Sequence, residues 1–369
     1  MAGKSYIGVS GTAQKTKKIY LGVNGVAQKI RRAYLGVNGT ARLIFSGGEL
    51  SYYGLAENLS AARSELAAAT VGSYALFAGG RSSHISGSSS AVDAYSAALT
   101  HSTPSSLSSA RRALAGASVG SYALFAGGSS SDAADAYDSS LTHSTPDSLS
   151  AERGDLAGTS VGSYALFAGG SGYSSAVDAY DSSLTHSTPD SLSTGRSSLA
   201  AASVGSYALF AGGLRSAGPS SAVNAYNGSL TRSTATSLST ARYSLAGASV
   251  GDYALFAGGR NDENSAYSTV NAYDTSLTRT TPGALYSTAY ANAGTGLGEY
   301  ALFAGGRDTA GSCRQRCTAY DASLTRMQAA DLNQGRSDLA AAATGDHAIF
   351  AGGVRGSSAG NMADVYQIG

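Results

Sequence analysis

One heptapeptide, Tyr-Ala-Leu-Phe-Ala-Gly-Gly, recurs along the chain almost unchanged, and its period limits the possible folds more than any other feature. Its Gly-Gly pairs fall at 79–80, 127–128, 169–170, 212–213, 258–259, 305–306 and, as His347-Ala-Ile-Phe-Ala-Gly-Gly, at 352–353. A second landmark follows each pair, a tyrosine in the phrase Val-Asp-Ala-Tyr or a variant of it: Tyr95, Tyr137, Tyr180, Tyr226, Tyr273, Tyr320 and Tyr366. From each of the first six tyrosines to the next Gly-Gly is always 32 residues. From each Gly-Gly forward to its own tyrosine the distance runs 16, 10, 11, 14, 15, 15 and 14, and the residues there share almost nothing between copies. The first interval reads as scaffold and the second as a variable loop.

Four short strands fit one unit, with residues 199–238 as the type case. They are expected at 199–204, 207–211, 222–226 and 230–234, with Gly205-Ser206 as the first turn. The apolar runs of the first two suit a sheet buried on both faces, and their Ala and Gly content lets neighbouring sheets approach closely. Composition agrees: 48 glycines, 13% charged residues, no Trp and five Pro fit neither a collagen-like chain nor an ordinary helical enzyme. A hydrophobic content of 43% with 23 Tyr argues against disorder. Antiparallel four-stranded units spaced 42 to 48 residues apart and repeated radially are β-propeller blades.

The termini close the count. The last copy stops after its third strand, at Tyr366-Gln367-Ile368-Gly369. The missing fourth strand is expected at 51–60, because Leu59 stands twenty residues before Gly79 as Leu107 does before Gly127. The expected fold is thus all-β: a seven-bladed propeller of four-stranded blades over 47–369, its last blade closed by the N-terminal strand, preceded by a small β-hairpin repeat module over 1–46.

Charge marks the boundary between those two modules. Five lysines and three arginines lie in residues 1–45 with no Asp or Glu, giving +8; the remainder holds 17 arginines and no lysine against all 24 acids, giving −7. The basic segment repeats every 14 residues, as Tyr6-Ile-Gly-Val-Ser-Gly, Tyr20-Leu-Gly-Val-Asn-Gly and Tyr34-Leu-Gly-Val-Asn-Gly. Each copy reads as a hairpin, with Asn24-Gly25 the type I′ turn of the second. So small a module buries little surface, so it is expected to fold by assembling, with copies of itself or with another structural protein. With no recognition-helix pattern, nucleic acid is not expected as a partner.

An Arg, an apolar strand ending in Gly-Gly, and then Val-x-x-Tyr-Asp together resemble the kelch repeat, over roughly residues 50–369. The outer-strand Trp typical of kelch is absent from every copy, and the usual Arg is replaced by Ala289 in one. The resemblance implies the propeller and leaves function open, since kelch-like propellers include enzymes, adaptors and lectin-like binders.

Two sets of residues stand out as candidate sites. The variable loops, 81–91, 129–134, 171–176, 214–222, 260–269, 307–316 and 354–363, mix Ser, Gly, Asn and Asp with occasional Tyr and Arg, the physics of a paratope. Arg81, His84, Tyr173, Arg215, Arg260, Asn261, Tyr267, Arg307 and Arg355 are the ligand-binding candidates there. An Arg also recurs sixteen residues before the Gly-Gly, at Arg63, Arg111, Arg153, Arg196, Arg242 and Arg336. This ring is expected to tie the blades together through backbone carbonyls or the Asp or Asn of the third strand. His101, His143 and His186 recur at one position of the fourth strand and are expected to face solvent. Cys317 stands where Val177 stands, so a small buried role is expected; no metal, cofactor or catalytic residue is assigned.

The hairpin repeats joined to Ala/Ser-rich blades resemble proteins of phages and prophages of gut Firmicutes, among tail or surface-fibre components. That resemblance implies a virion structural protein that recognises a host-surface glycan or protein. It would be made in the cytoplasm without a signal peptide and reach the exterior by lysis. The alternatives are a carbohydrate-active enzyme using the central pocket and an intracellular kelch-type adaptor.

Overall fold

Short strands rich in Ala, Gly, Ser and Thr gather seven sheets around one axis. The computed structural model describes residues 48–82 and 87–369 and, within 6–46, the backbone of the strands alone. The innermost strands are Ala67–Val71, Ala115–Val119, Ala157–Val161, Ala200–Val204, Ala246–Val250, Ala293–Leu297 and Ala340–Thr344, which number blades 1 to 7. Each pairs antiparallel with the repeated heptapeptide, from Tyr74–Ala78 in blade 1 to His347–Ala351 in blade 7. The landmark tyrosine lies on the third strand, from Val92–Ser96 to Ala363–Ile368, and a short fourth strand ends each sheet. Among the described residues there is no helix.

The ring closes as the spacing predicts. Leu50–Leu55 is the fourth strand of blade 7, antiparallel to Ala363–Ile368. Tyr52 Oη donates to Asp364 Oδ1 at 2.6 Å across 312 positions of sequence. The innermost strands of blades 7 and 1 pack side by side like every other neighbouring pair.

Packing explains why the second strand is apolar throughout. Leu76 of blade 1 joins Ala123, Phe125 and Tyr137 of blade 2 in one cluster. The next residue, Phe77, packs on the other face with Ala342, Ile349 and Val365 of blade 7. Alternate side chains therefore serve opposite neighbours, and the core lies between blades rather than at a single centre. Each landmark tyrosine is buried, and its hydroxyl donates to a carbonyl of the connecting segment, as Tyr95 does to Glu57 O at 2.7 Å and Tyr226 to Asp190 O at 2.8 Å. Burial pushes these phenols well above their ordinary pKa. Gly-Gly is required because both residues take positive φ, 66° and 111° at Gly79 and Gly80, and a Cβ on Gly79 would stand 2.7 Å from Arg111 O.

A second ring, made only of backbone, surrounds the axis. Glu65, Ala113, Asp155, Ser198, Ser244, Ala291 and Asp338, one per blade, all stand in the left-handed region with φ between 52° and 56°. The amide of each donates to the carbonyl of the one before, and Glu65 N closes the circle on Asp338 O at 2.9 Å. Paired backbone groups offset the left-handed conformation, which costs a non-glycine residue about 1–2 kcal/mol.

The variable loops and the connections between blades share one face. Ser197 bridges to Leu214, Tyr243 to Arg260, Tyr290 to Arg307 and Ser337 to Val354, each joining a connection to a loop. The first turns lie opposite, where Gly72 of blade 1 approaches Ser139 of blade 2. The fourth strand of the type unit differs from expectation: it begins at Arg232, and Leu230 sits in the turn at φ 61°. Asn227 Oδ1 accepts from Ser229 N and Thr231 N, which fixes that turn, while Leu230 packs against the neighbouring blade.

In the basic segment three antiparallel pairs are described: Tyr6–Val9 with Thr12–Lys15, Ile19–Val23 with Val26–Ile30, and Arg32–Val37 with Thr40–Ser46. The Asn24-Gly25 turn and the lysine side chains lie outside the described residues, as does His84.

Candidate functional site

The recurring arginines are consumed by the scaffold. Arg63, Arg111, Arg153, Arg196, Arg242 and Arg336 are all buried, at most 3% exposed. In each, Nη2 donates to the carbonyl of the second-strand phenylalanine, as Arg111 does to Phe125 O at 3.0 Å and Arg336 to Phe350 O at 2.8 Å. In blades 1 to 3 and 7 the same guanidinium pairs with a fully buried carboxylate: Arg63 with Asp93, Arg111 with Asp135, Arg153 with Asp178 and Arg336 with Asp364. The other carboxylate oxygen accepts from the connecting segment, Ser108 N to Asp135 Oδ1 at 2.8 Å for example. Burial works to raise the Asp178 pKa, but Arg153, Ser150 N and His186 outweigh it and hold the carboxyl below its ordinary value.

The histidines correct the expectation of a solvent-facing position. His101, His143 and His186 are 9%, 19% and 18% exposed, and Nε2 lies 2.7, 2.6 and 2.6 Å from Asp93, Asp135 and Asp178 Oδ1. The fourth strand begins by turning this side chain inward over the third, so each histidine caps a buried Arg–Asp pair. Its ring also lies against the landmark tyrosine, with His143 stacked on Tyr137 at 5.0 Å.

Blades 4 and 5 change both partners together. Asn224 and Asn271 replace the aspartates, and Arg232 and Arg279 replace the histidines. Without a counter-charge, burial lowers the pKa of Arg196 and of Arg242 to about 10. Asn224 Oδ1 accepts from Arg196 Nη2 at 2.9 Å and from Ser193, geometry a carboxylate would keep. Asn224→Asp is therefore expected to stabilise the protein by about 1–2 kcal/mol at neutral pH, read as a higher midpoint in denaturant. No change, or a loss, would show that the buried guanidinium gains nothing from a charged partner.

Blade 6 departs furthest. Ala289 stands in place of the arginine, Thr318 in place of the aspartate and Asn292 in place of an axis-facing leucine. Asn292 is 9% exposed, and neither of its amide atoms has a hydrogen-bond partner.

The loop face divides the remaining candidates. Arg215 folds back on its own hairpin, Nε to Gly218 O at 3.4 Å and Nη2 to Pro219 O at 3.3 Å. Asn261 Oδ1 accepts from Glu263 N and Ser265 N and so shapes its own loop. Arg260 lies between the rings of Tyr243 and Tyr290, 4.9 and 4.5 Å from their centroids. Tyr267 is half-buried beside it, and Tyr173 stands apart at 44% exposure. Arg81 and Arg307 come together, lining a cleft of about 290 Å³ with Asp338 and Ser357, whereas Arg355 lines the neighbouring one. Arg81 pairs with Glu65 at 3.5 Å, and Arg307 Nε donates to Ser337 Oγ at 2.8 Å.

That neighbouring cleft, about 570 Å³ between the loops of blades 6 and 7, is lined by residues outside the candidate set as well, among them Arg314, Arg316 and Asp331. The sequence signal was there: three of the seven residues 310–316 are Cys or Arg, a composition no other loop has. The mouth of the axis, by contrast, is a collar of about 220 Å³ made by six leucines and the backbone ring, with Glu65, Asp155 and Asp338 at its rim.

Cys313 and Cys317 are free thiols; Cys317 is buried opposite Ala304, and burial pushes its pKa up to about 12. Among the described residues no group of three or more His, Cys, Asp or Glu is placed to hold a metal, and no helix is long and apolar enough to cross a membrane. No known protein family matches the chain, and no curated protein is significantly similar to it.

Proposed function

We propose that this propeller is a non-catalytic recognition protein of kelch-like type whose variable face binds a host-surface glycan or protein. One observation carries the reading. The arginine present in six of the seven blades and the landmark tyrosine of all seven are buried and spent on the ring, whereas the loops between Gly-Gly and the tyrosine, which share almost nothing between blades, lie on a single face. A scaffold that holds its framework fixed while one face varies suits recognition. The Tyr-Leu-Gly-Val-Asn-Gly hairpins joined to Ala/Ser-rich blades favour a phage or prophage tail or fibre component, released by lysis. In that setting residues 1–46, basic and too small for a core of their own, attach the ring to other virion proteins or to further copies, and several copies add avidity.

The test is adsorption to candidate host cells together with a glycan array, using the full chain and a variant carrying the 129–134 loop of blade 2 in all seven blades. Binding by the parent and loss in the loop-uniform variant is the expected result. No binding to cells, glycans or surface proteins by the parent would end this reading.

A further inference from the structure

We propose that the cleft between blades 6 and 7 binds the carboxylate of an acidic sugar, a proposal that rests on the recognition role above and names the ligand class. Its lining carries more cationic donors than the protein satisfies. Arg314 pairs with Asp308, yet its Nε is buried with no acceptor. Arg316 Nη1 approaches Asp331 Oδ2 only at 3.5 Å, and Arg355 Nη1 has Gln334 Oε1 at 3.5 Å. The Arg314 and Arg316 side chains stay 39% and 46% exposed, and Arg355 is exposed. Each guanidinium presents five N–H groups in a planar fork that matches a carboxylate, so three of them leave donors over.

Asp331 supplies the complementary half. Its Oδ1 is buried without a hydrogen-bond donor, so the cleft holds an unfilled acceptor beside its unfilled donors. Counting Asp308 and Asp331 against the three arginines leaves a surplus of one positive charge. A ligand satisfying both halves brings one negative charge and at least one hydroxyl donor, as a uronic acid unit does. A phosphate dianion exceeds the surplus charge and meets Asp331 with repulsion; a neutral sugar leaves the guanidinium donors unused. A volume of about 570 Å³ falls within the range of small-ligand sites. The loops on either side bring this together: 307–316 contributes Arg314 and Arg316, and the short strand Val354–Arg355 in the loop of blade 7 contributes Arg355.

The experiment is titration calorimetry of the full chain with methyl galacturonide, the matching neutral methyl galactoside and glycerol phosphate, on the parent, Arg316→Gln and Asp331→Asn, with Ser121→Ala as a control in an exposed first turn on the opposite face. Galacturonate is expected to bind at least tenfold more tightly than either alternative and to weaken with salt. Arg316→Gln is expected to lose at least tenfold, Asp331→Asn, which raises the surplus charge and removes the group that repels a dianion, to narrow the preference over glycerol phosphate, and Ser121→Ala to match the parent. Equal affinity for the neutral galactoside, tighter binding of glycerol phosphate by the parent, no binding of galacturonate, or an unchanged Arg316→Gln would overturn the proposal. Host-cell adsorption separates the two claims: an Arg316→Gln variant that still adsorbs like the parent sinks the acidic-sugar site alone, whereas a parent that adsorbs to nothing sinks the recognition role itself.

Discussion

Arg111→Ala is expected to lower stability by about 3–5 kcal/mol, and adding Asp135→Thr to return a large part of that loss. The single change removes the guanidinium beside a carboxylate that is 0% exposed, leaving Asp135 with His143 and Ser108 as its partners, and it also strips Phe125 O of its guanidinium donor. A buried charge without its counter-charge accounts for most of that cost. The double change copies blade 6, where Ala289 and Thr318 occupy the same two positions inside an intact blade. Urea unfolding of the parent, both single variants and the double variant at neutral pH gives the cycle. Equal losses in Arg111→Ala and in the double variant would mean that Asp135 is not the source of the penalty.

Deleting residues 48–56 is expected to cost about 5 kcal/mol or more, a large fraction of what a folded domain has to lose. The deletion unpairs the whole edge of Ala363–Ile368, removes the Tyr52 to Asp364 hydrogen bond and the edge-to-face contact of Tyr52 with Tyr366 at 5.4 Å, and uncovers the seventh blade. Position in the chain is not what matters. Glu49 N donates to Gly369 O at 3.1 Å and Gly369 N to Glu49 O at 3.2 Å, so a short turn spans the two ends. A circular permutant that joins Gly369 to Glu49 and opens the chain between Ser216 and Ala217, both exposed, is expected to unfold at the same denaturant concentration as the parent within error. A permutant as unstable as the deletion would show that strand order along the chain, and not closure, is what the protein needs.

The seven blades, their strand order and the closing strand were legible because each signal is repeated: seven Gly-Gly pairs, seven tyrosines and one constant interval of 32 residues. The backbone ring at the axis was not. Its members are Glu, Ala, Asp, Ser, Ser, Ala and Asp, and a conformation fixed by amide-to-carbonyl bonds leaves no mark on side-chain identity. The histidines were misplaced because a two-residue outer strand offers too little alternation to tell inside from outside. A signal did exist: every blade with a fourth-strand His has Asp on the third strand, and blades 4 to 6, with Arg there, have Asn or Thr. Of the candidate site, Arg81, Arg307 and Arg355 were visible as departures between copies. The meeting of Arg81 with Arg307 in one cleft was not, because it depends on which loops the ring makes adjacent. Arg314 and Asp331 lie seventeen positions apart on either side of a β-hairpin, and a linear reading gives no reason to join them.

The strand that completes blade 7 also sets an order of events in time. Leu50–Leu55 leaves the ribosome before any blade exists, yet its partner, Ala363–Ile368, is made after every other strand of the ring. Until then six sheets can form by local pairing while one strand waits and one edge stays open, a long-range contact of the kind that slows folding. The seven heptapeptides are near copies, so the waiting strand meets six wrong but similar sheets first. Those sheets are protected by already having their own fourth strands, so completing the blades in order keeps Leu50–Leu55 and Ala363–Ile368 for each other.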